Sequence, residues 1–272
     1  MGEHPLVGRM RHIGPVAVAY SGGADSALVL AAAVRAVGPA RVLAVTAVSE
    51  SLATGELARA ARLADDLGVT HLTPRTRELA SPGYRANGAD RCYFCKSEVL
   101  GTITALAREH GYGHVATGTN ADDAADPFRP GIRAGAERGV HTPLRDAGLG
   151  KDDVRRLSRE WALPTWDKPA TPCLASRIRY GLEVTPHRLA RVDRAEVAVR
   201  ALLAAAGIAS PDLRVRDLGD TVRLEVDPAV VDGVAALPGL REALSGAGFA
   251  DVPHEVDPFR SGRLNTEPPS RP

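Results

Sequence analysis

The sequence predicts an α/β protein in which a parallel sheet is followed by a small α+β domain. An apolar run, Pro15 to Ala19, leads through a glycine-rich turn into an alanine-rich run, Ala27 to Val37. Valines at alternate positions favour a strand in the first run, and apolar residues at helical spacing favour a helix in the second. Strand and helix patterns then alternate to about residue 161, and around Gly181 the order becomes helix, hairpin, helix and strand. This order is typical of a βα-repeat domain followed by an α+β domain.

The remaining elements of the first part follow from the same periodicity. Gly38-Pro39 ends the first helix, and Gly68 ends a second, amphipathic helix. After the first helix, the pattern predicts a strand at 41–48, a helix at 54–67, a strand at 69–73 and a helix at 97–110. It then predicts a short strand that ends in a polar loop at 113–120, an irregular stretch at 125–149 and a helix at 151–161.

The second part begins with a clear helix signal. Thr185 is a suitable cap for a helix whose first turn contains Pro186, and this helix is expected to reach Ala206. The pattern then predicts a hairpin formed by 212–218 and 221–227, a broken helix at 228–244 and a last strand at 249–256. We place the domains at 1–181 and 182–262, with a mobile tail at 263–272.

The composition limits the possible function classes. The chain has 272 residues, of which 44% are hydrophobic, and a formal net charge of +1. This near-neutral balance gives no reason to expect a nucleic acid or a membrane as partner. The first 14 residues lack the apolar core of a secretory signal, and no apolar run of about 18 residues occurs. We therefore expect a soluble, cytoplasmic protein whose three cysteines serve a metal or redox role rather than a disulfide framework.

The glycine-rich turn, Ser21-Gly22-Gly23-Ala24-Asp25-Ser26, has the properties of a phosphate site. The two glycines let the backbone come close to a ligand, the two serines add hydroxyl groups, and the first N–H groups of the following helix face the same point. Tight packing alone would explain two glycines but not the whole pattern. The turn is neither the common P-loop nor the dinucleotide-binding turn. It resembles the PP-loop of ATP pyrophosphatases, which implies an adenine nucleotide alpha hydrolase-like fold and cleavage of ATP to AMP and pyrophosphate.

Carboxylates near this turn are candidates for the Mg²⁺ that accompanies ATP. Asp25 lies in the turn itself, and Asp122 and Asp123 follow the strand that ends near Gly118. The carboxyl ends of parallel strands meet at one edge of the sheet, so we assign Gly118 to the nucleotide site with the turn residues. We assign Asp25 a catalytic role as well, the alternative being a plain helix cap.

The cysteines have the spacing of a metal or cluster site. Cys92-x-x-Cys95 can bind one ion, although a structural zinc or two buried thiols would show the same spacing. No histidine forms a clear pattern with them. Cys173 follows a rigid, proline-rich stretch and brings the number of thiols to three, one short of the four that close a [4Fe-4S] cluster. An iron left open in this way could bind sulfide.

Several longer motifs together resemble the LarE family. They are Arg91-Cys92-Tyr93-Phe94-Cys95-Lys96, Arg129-Pro130-Gly131-Ile132-Arg133-Ala134, Trp166-Asp167-Lys168-Pro169-Ala170 and Cys173-Leu174-Ala175-Ser176-Arg177-Ile178 with Tyr180-Gly181. The family consists of PP-loop sulfur transferases that help to build the nickel-pincer nucleotide cofactor of lactate racemase. The resemblance implies an enzyme that adenylates a carboxylate of a pyridinium dicarboxylate mononucleotide, releases pyrophosphate and forms a thiocarboxylate. It also implies a homo-oligomer.

The resemblance leaves two routes for the sulfur. In the single-cysteine branch of the family, the cysteine that matches Cys173 gives up its own sulfur and becomes dehydroalanine. In the three-cysteine branch, the cysteines hold an iron–sulfur cluster that carries an extra sulfide, which requires a sulfide donor. Because Cys92 and Cys95 are present, we favour the cluster, with Cys92, Cys95 and Cys173 as its ligands. Cys173 is catalytic on either route.

An anionic substrate calls for basic residues. Arg214 and Arg216 share one face of a predicted strand and are candidates for the substrate site, with Glu196 as a weaker one and Glu225 weaker still. Arg177 is a candidate for the same charges, and we assign it to the cofactor-binding residues. A solvated sheet face is the plain alternative. This chain departs from the family pattern at Arg179 and at Asp217-Leu218. Both departures affect the fine geometry expected of the substrate site and not the ATP chemistry.

Three rival functions stay open at this point. A cluster-dependent tRNA thiolase would need ATP and cysteines, but it would also call for a basic domain. An amide-forming relative such as NAD synthetase does not require the three cysteines. A non-catalytic nucleotide-binding module with a structural zinc would bind ATP without releasing pyrophosphate.

Overall fold

A computed structural model describes residues 4–125, 130–260 and 262–263. In chain order, the α-helices and strands are α1 (Pro5–Ile13), β1 (Val16–Ala19), α2 (Ala24–Val37), β2 (Val42–Val45), α3 (Glu56–Asp66), β3 (Thr70–Leu72), α4 (Pro82–Arg85), α5 (Arg91–Glu109), β4 (His114–Thr117), α6 (Ala121–Ala125), α7 (Gly131–Ala136), α8 (Pro143–Asp146), α9 (Lys151–Glu160), α10 (Pro186–Ala205), β5 (Arg214–Asp217), β6 (Val222–Val226), α11 (Val231–Ala235), α12 (Leu240–Leu244) and β7 (His254–Pro258).

The chain forms two compact units, which are described separately over their described residues. The first unit comprises Met1–Ser49, Gly55–Ser81 and Asp90–Ala170, and the second comprises Glu50–Thr54, Pro82–Ala89 and Thr171–Pro272. The domain boundary predicted after residue 181 falls inside the second unit and stays a prediction. Most of the tail predicted to be mobile, 264–272, lies outside the described residues.

The first unit is a parallel sheet covered on both faces. Among the described residues, its strands lie in the order β3-β2-β1-β4, and every neighbouring pair is parallel. Val16 and Val18 pack on one face with apolar residues of α1, α2, α3 and α9. Ala17 and Val45 pack on the other face with Ile103 of α5. Burial on both faces explains why the strands are almost purely apolar rather than alternating.

Most elements of the first unit were predicted, and the differences have local causes. The helix expected at 97–110 begins already at Arg91, so both cysteines of Cys92-x-x-Cys95 lie on α5. Its first turn combines the buried Arg91 with the exposed Cys92 and two partly buried aromatic residues, so it lacks the apolar repeat that marks a buried helix. Within the stretch expected to be irregular, 130–149, the short helices α7 and α8 form instead.

The second unit contains a small mixed sheet with α10 packed beside it. Within its described part, β5 and β6 pair as the predicted antiparallel hairpin, and β7 pairs parallel to β6. The predicted cap is also present, since the Thr185 hydroxyl accepts a hydrogen bond from the Arg188 N–H. The last strand begins at His254 and not at Phe249, because Ser245–Phe249 continues the preceding helix with π-type turns despite its two glycines.

A short outlying segment is tied to the main part of the second unit by Asn87. Its side-chain amide donates hydrogen bonds to the carbonyl groups of Arg179 and Leu182, each at 2.9 Å, and to that of Ile178 at 3.3 Å. Asn87 is fully buried and has a φ of +53°, a left-handed conformation that asparagine tolerates better than most residues. One side chain therefore fixes the chain that follows Cys173.

The described helices contain no candidate for a membrane span. None of them is long and apolar enough to cross a bilayer. The longest, α10, has 20 residues, and its sequence includes Arg188, Arg191, Asp193 and Arg194.

We predict that replacing Asn87 destabilises the protein in a defined order. Asn87→Gly keeps the backbone conformation but loses the three hydrogen bonds, and we expect a cost of about 2 kcal/mol or more. Asn87→Ala adds the cost of a positive φ, and Asn87→Asp places a carboxylate against carbonyl oxygens. The thermal unfolding midpoint should therefore fall from parent to Gly, then to Ala, with Asp also below Gly. Equal midpoints for the parent and the Gly variant would contradict this role.

Candidate functional site

The glycine turn between β1 and α2 needs glycine for two separate reasons. Gly22 has a φ of +73°, and a Cβ built on it would lie 3.1 Å from the Cβ of Ala60. Gly23 occupies the N-cap position of the 14-residue α2, and no side chain caps the helix from there. The first N–H groups of α2 thus stand next to a backbone that a ligand can approach closely.

The two serines of the turn are held together before any ligand binds. The hydroxyl oxygens of Ser21 and Ser26 are 3.0 Å apart, and the Ser26 hydroxyl donates to the Gly23 carbonyl at 3.2 Å. The Ser26 oxygen also accepts from the Ser21 N–H at 3.2 Å. These bonds hold the turn in a compact conformation at the start of α2, whose first N–H groups are the donors that an anion site would use.

Gly118, at the carboxyl end of β4, lies directly against the start of α2. A Cβ on Gly118 would stand 2.6 Å from the Ser26 nitrogen and 2.9 Å from the Asp25 carbonyl carbon. The obstacle is backbone, so no side chain could move out of the way. The structure therefore brings Gly118 next to the turn, and glycine is the residue that this approach requires.

Asp25 is a partly buried carboxylate within the turn, and its pKa is raised. Burial raises its pKa, and so does the charge of Asp123, whereas a 2.8 Å hydrogen bond from the Asn120 amide and the charge of Lys151 act against the rise. Asp122 has a different role, since its carboxylate accepts from the Lys151 N–H at 2.7 Å and thus binds the start of α9. Asp25 and Asp123 are therefore the pair whose mutual repulsion a cation would relieve.

Lys168 is a site residue that the sequence analysis did not assign. Its ammonium group donates to the Gly22 carbonyl at 2.8 Å and to the buried Glu56 carboxylate at 2.7 Å. Burial alone would raise the pKa of Glu56, but the bonds and charges of Lys168 and Arg59 bring it below its ordinary value. The sequence does contain a signal for it, because Lys168 is the basic residue of the Trp166–Ala170 motif that resembles the LarE family.

Cys92 and Cys95 lie three residues apart on the first turns of α5. This spacing puts them on neighbouring positions of one helix face, where Cys92 is exposed and Cys95 is partly buried. The helix is braced by α7, because the Arg133 guanidinium lies 4.1 Å from the centre of the Tyr93 ring and the Tyr93 hydroxyl donates to Glu137. The two thiols are thus presented on a rigid element of the first unit.

Cys173 belongs to the second unit, where Arg177 fixes the chain around it. Arg177 is fully buried, donates to the Glu196 carboxylate at 2.9 Å and donates to the Pro172 carbonyl at 2.5 Å. Within the described residues, no three His, Cys, Asp or Glu side chains form a metal-binding group. The three-cysteine cluster therefore stays a prediction, as does the assignment of Arg177 to the cofactor.

The predicted substrate arginines lie in a buried charged network of the second unit. Both Arg214 and Arg216 are almost fully buried, so the alternative of a solvated sheet face is wrong. Arg216 donates twice to one oxygen of Glu225, at 2.7 and 2.9 Å, and the other oxygen has no hydrogen-bond partner among the described residues. Burial, followed by the charge of Arg177, lowers the pKa of Arg214 to about 10. An anion beside Arg214 would offset both effects.

One departure from the family pattern has a clear structural role. Asp217 is fully buried and accepts hydrogen bonds from Arg188 and Arg191 of α10. It also accepts from the Gly219 N–H at 3.1 Å. Asp217 therefore ties the end of β5 to α10 through ion pairs with Arg188 and Arg191.

Comparisons with known proteins agree with this description. No family model matches the chain. It is 41% identical over 251 residues to an uncharacterised Synechocystis protein, covering 91% of both chains. It is 33% identical over 261 residues to the pyridinium-3,5-bisthiocarboxylic acid mononucleotide synthase of Lactiplantibacillus plantarum, covering 96% of this chain and 92% of that one. An uncharacterised Methanocaldococcus jannaschii protein is 26% identical over 64% of this chain and 66% of its own length.

The similarity to the Lactiplantibacillus plantarum synthase extends over nearly the whole length of both chains. Together with the parallel sheet and its terminal glycine turn, this confirms the resemblance found in the motifs: the chain belongs to the LarE family.

Proposed function

We propose that the protein is an ATP-dependent sulfur transferase that converts a carboxylate of a pyridinium dicarboxylate mononucleotide to a thiocarboxylate. The observation that carries the proposal is the closed glycine turn, with Gly118 against its backbone and Lys168 on its carbonyl. The name of the Lactiplantibacillus plantarum relative supports the substrate class, since its product is a bisthiocarboxylic acid mononucleotide.

The first step is activation of the carboxylate. A carboxylate oxygen of the substrate attacks the α-phosphorus of ATP, the new O–P bond forms, and the bond to pyrophosphate breaks. The N–H groups of the turn and the Ser21 and Ser26 hydroxyls would bind the leaving pyrophosphate. Lys168 and Lys151 add positive charge on the same unit, since Lys168 contacts Gly22 and Lys151 acts on Asp25.

The carboxylates fit a Mg²⁺ ion that accompanies ATP. The charge of Asp123 is close enough to Asp25 to raise the pKa of the Asp25 carboxyl group. Both side chains carry oxygen atoms of the type that Mg²⁺ prefers as ligands. Bound there, the ion would neutralise phosphate charge. The Asn120 amide orients the Asp25 carboxylate by its 2.8 Å hydrogen bond.

The second step is transfer of sulfur to the activated carbon. A sulfur–carbon bond forms, and AMP leaves with the electrons of the broken carbon–oxygen bond. The three cysteines are thiols of the type that binds iron, and a cluster held by Cys92, Cys95 and Cys173 would supply an iron that can take up sulfide from a donor. The alternative source is Cys173 itself, which would lose its sulfur and a Cα proton and become dehydroalanine.

The arginine network of the second unit fits a substrate that carries a phosphate and carboxylates. Burial lowers the pKa of Arg214, and the neighbouring charge of Arg177 lowers it further. Binding of an anion would restore the favourable state of its guanidinium group. We assign Arg214 and Arg216 to substrate binding, with Glu196 holding Arg177 in place.

The first test concerns Lys168. We expect Lys168→Met to lower substrate-dependent pyrophosphate release about 10²-fold, the usual cost of losing one group that stabilises developing charge. Because the variant removes one of the two cations that bind the buried Glu56, the double variant Lys168→Met/Glu56→Gln reduces that folding penalty and should be equally slow. Pyrophosphate release at the parental rate in the folded double variant would contradict the role of Lys168.

The second test uses two glycines of the same segment. Gly118→Ala places a Cβ 2.6 Å from the Ser26 nitrogen, whereas a Cβ on Gly113 meets nothing within 4 Å. A displaced turn should weaken ATP binding about tenfold or more in Gly118→Ala and leave Gly113→Ala unchanged. Calorimetric titration with a non-hydrolysable ATP analogue measures both. Unchanged ATP affinity in Gly118→Ala would exclude this approach as part of the nucleotide site.

The third test decides the reaction and the source of sulfur together. Anaerobically prepared protein is analysed for iron, sulfide and intact mass before and after incubation with ATP, Mg²⁺ and the pyridinium dicarboxylate mononucleotide. About four irons per chain with unchanged protein mass would support the cluster route. We expect Cys92→Ala or Cys95→Ala to abolish iron binding and multiple turnover, and Cys173→Ala to stop all transfer.

Two other outcomes of this third test would correct the proposal. A chain that is iron-free and lighter by the mass of hydrogen sulfide after turnover would assign the sulfur to Cys173. The absence of AMP, pyrophosphate and thiocarboxylate in every preparation would overturn the proposed function itself.

A further inference from the structure

We propose that His114 and His141 form a further metal site, at the edge of the sheet opposite the glycine turn. It binds a divalent ion of intermediate softness, such as Zn²⁺. The Nδ1 atom of His114 lies 3.1 Å from the Nε2 atom of His141. The two ring centres are 5.1 Å apart, and the ring planes are inclined by 62°. Nothing in the proposed sulfur transfer uses either residue.

The backbone fixes both rings in place. His114 is the first residue of β4, and His141 lies on a segment that runs parallel to the same strand. The His141 N–H donates to the Val115 carbonyl at 2.8 Å, and its carbonyl accepts from the Thr117 N–H at 2.9 Å. Two neighbouring, hydrogen-bonded chain segments therefore hold the imidazoles side by side. A metal ion could bind both without a rearrangement of the backbone.

The separation of the two nitrogen atoms suits a shared ion. Nitrogen ligands lie about 2.0–2.1 Å from zinc, so two of them are about 2.9–3.4 Å apart when the angle at the metal is between 90° and the tetrahedral value. The observed 3.1 Å falls in this range. Small rotations of the rings would turn both lone pairs toward the ion. Because His114 is exposed, water can complete the coordination.

Burial favours the neutral form of the His141 imidazole, which is the form that binds metal. Burial lowers the pKa of His141, and the neighbouring His114 lowers it further, whereas Asp146 acts in the opposite direction. The Asp146 carboxylate is already engaged by Arg145 and Thr142, so it contributes negative charge rather than a third ligand. Imidazole ligands select zinc, copper, nickel or cobalt over Mg²⁺.

The pair is separate from the nucleotide site. In a parallel sheet, all strands begin at one edge and end at the other. His114 opens β4 opposite Val16, whereas the glycine turn and Gly118 follow the carboxyl ends of β1 and β4. A metal bound here would connect the segment around His141 to the sheet.

The test is a Zn²⁺ titration of the full chain without a histidine tag. The host is the variant Cys92→Ser/Cys95→Ser/Cys173→Ser in excess Mg²⁺, so that thiols are absent and carboxylate sites are occupied. We expect about one Zn²⁺ per chain. His114→Gln and His141→Gln should each weaken binding at least tenfold, since even losing an outer-shell partner typically costs about 10–100-fold. His187→Gln, at an exposed position of the second unit, is the matched control and should bind as the host does.

Two further readouts keep the proposal falsifiable. Cu²⁺ bound to the host should show hyperfine coupling to two nitrogen atoms in electron paramagnetic resonance, and to fewer in either variant. Zn²⁺ should raise the thermal unfolding midpoint of the host and leave that of the variants unchanged. Equal Zn²⁺ affinity in host and variants, or no binding by a folded host, would show that the two histidines form a hydrogen bond and no metal site.

Discussion

The first unit depends on one close backbone approach, that of the end of β4 to the start of α2. Gly118 stands so near Ser26 and Asp25 that even a methyl group would meet main-chain atoms. The same region requires Gly22, whose φ is positive and whose Cα faces Ala60. These contacts bring the first turn of α2 to the edge where the strands end. The hydroxyl ring of Ser21 and Ser26 and the Asp25–Asn120 pair all take their positions from this approach.

Charge compensation organises what surrounds the turn. Lys168 joins the Gly22 carbonyl to the buried Glu56, and Asp122 holds the start of α9. The ammonium group of Lys168 is thus paired with a carboxylate of its own unit, next to the glycine turn. This arrangement keeps the turn in one conformation at little cost, because the lysine is never left without a counter-charge.

The second unit uses the same principle at greater density. Arg177, Arg216 and Asp217 are buried, and each is paired with an opposite charge from a different element. Arg214 lies in the same network, where burial and then the charge of Arg177 lower its pKa, while Glu196 and Asp212 act in the opposite direction. The paired charges of the network hold the elements of the unit together.

The sequence by itself determined the order of the strands and of the longer helices after α1, together with the glycine turn, and it suggested the candidate chemistry. These features depend on local periodicity, on turn residues and on short motifs, and each of them can be read from neighbouring residues. Only the tertiary structure decided which charges meet. Lys168 contacts Gly22 across about 146 residues, and Asn120 contacts Asp25 across 95. It also placed the start of α5 at Arg91, a buried charged residue that belongs to no apolar repeat. Contacts of this kind are set by how the chain folds back on itself, so no local pattern could have specified them.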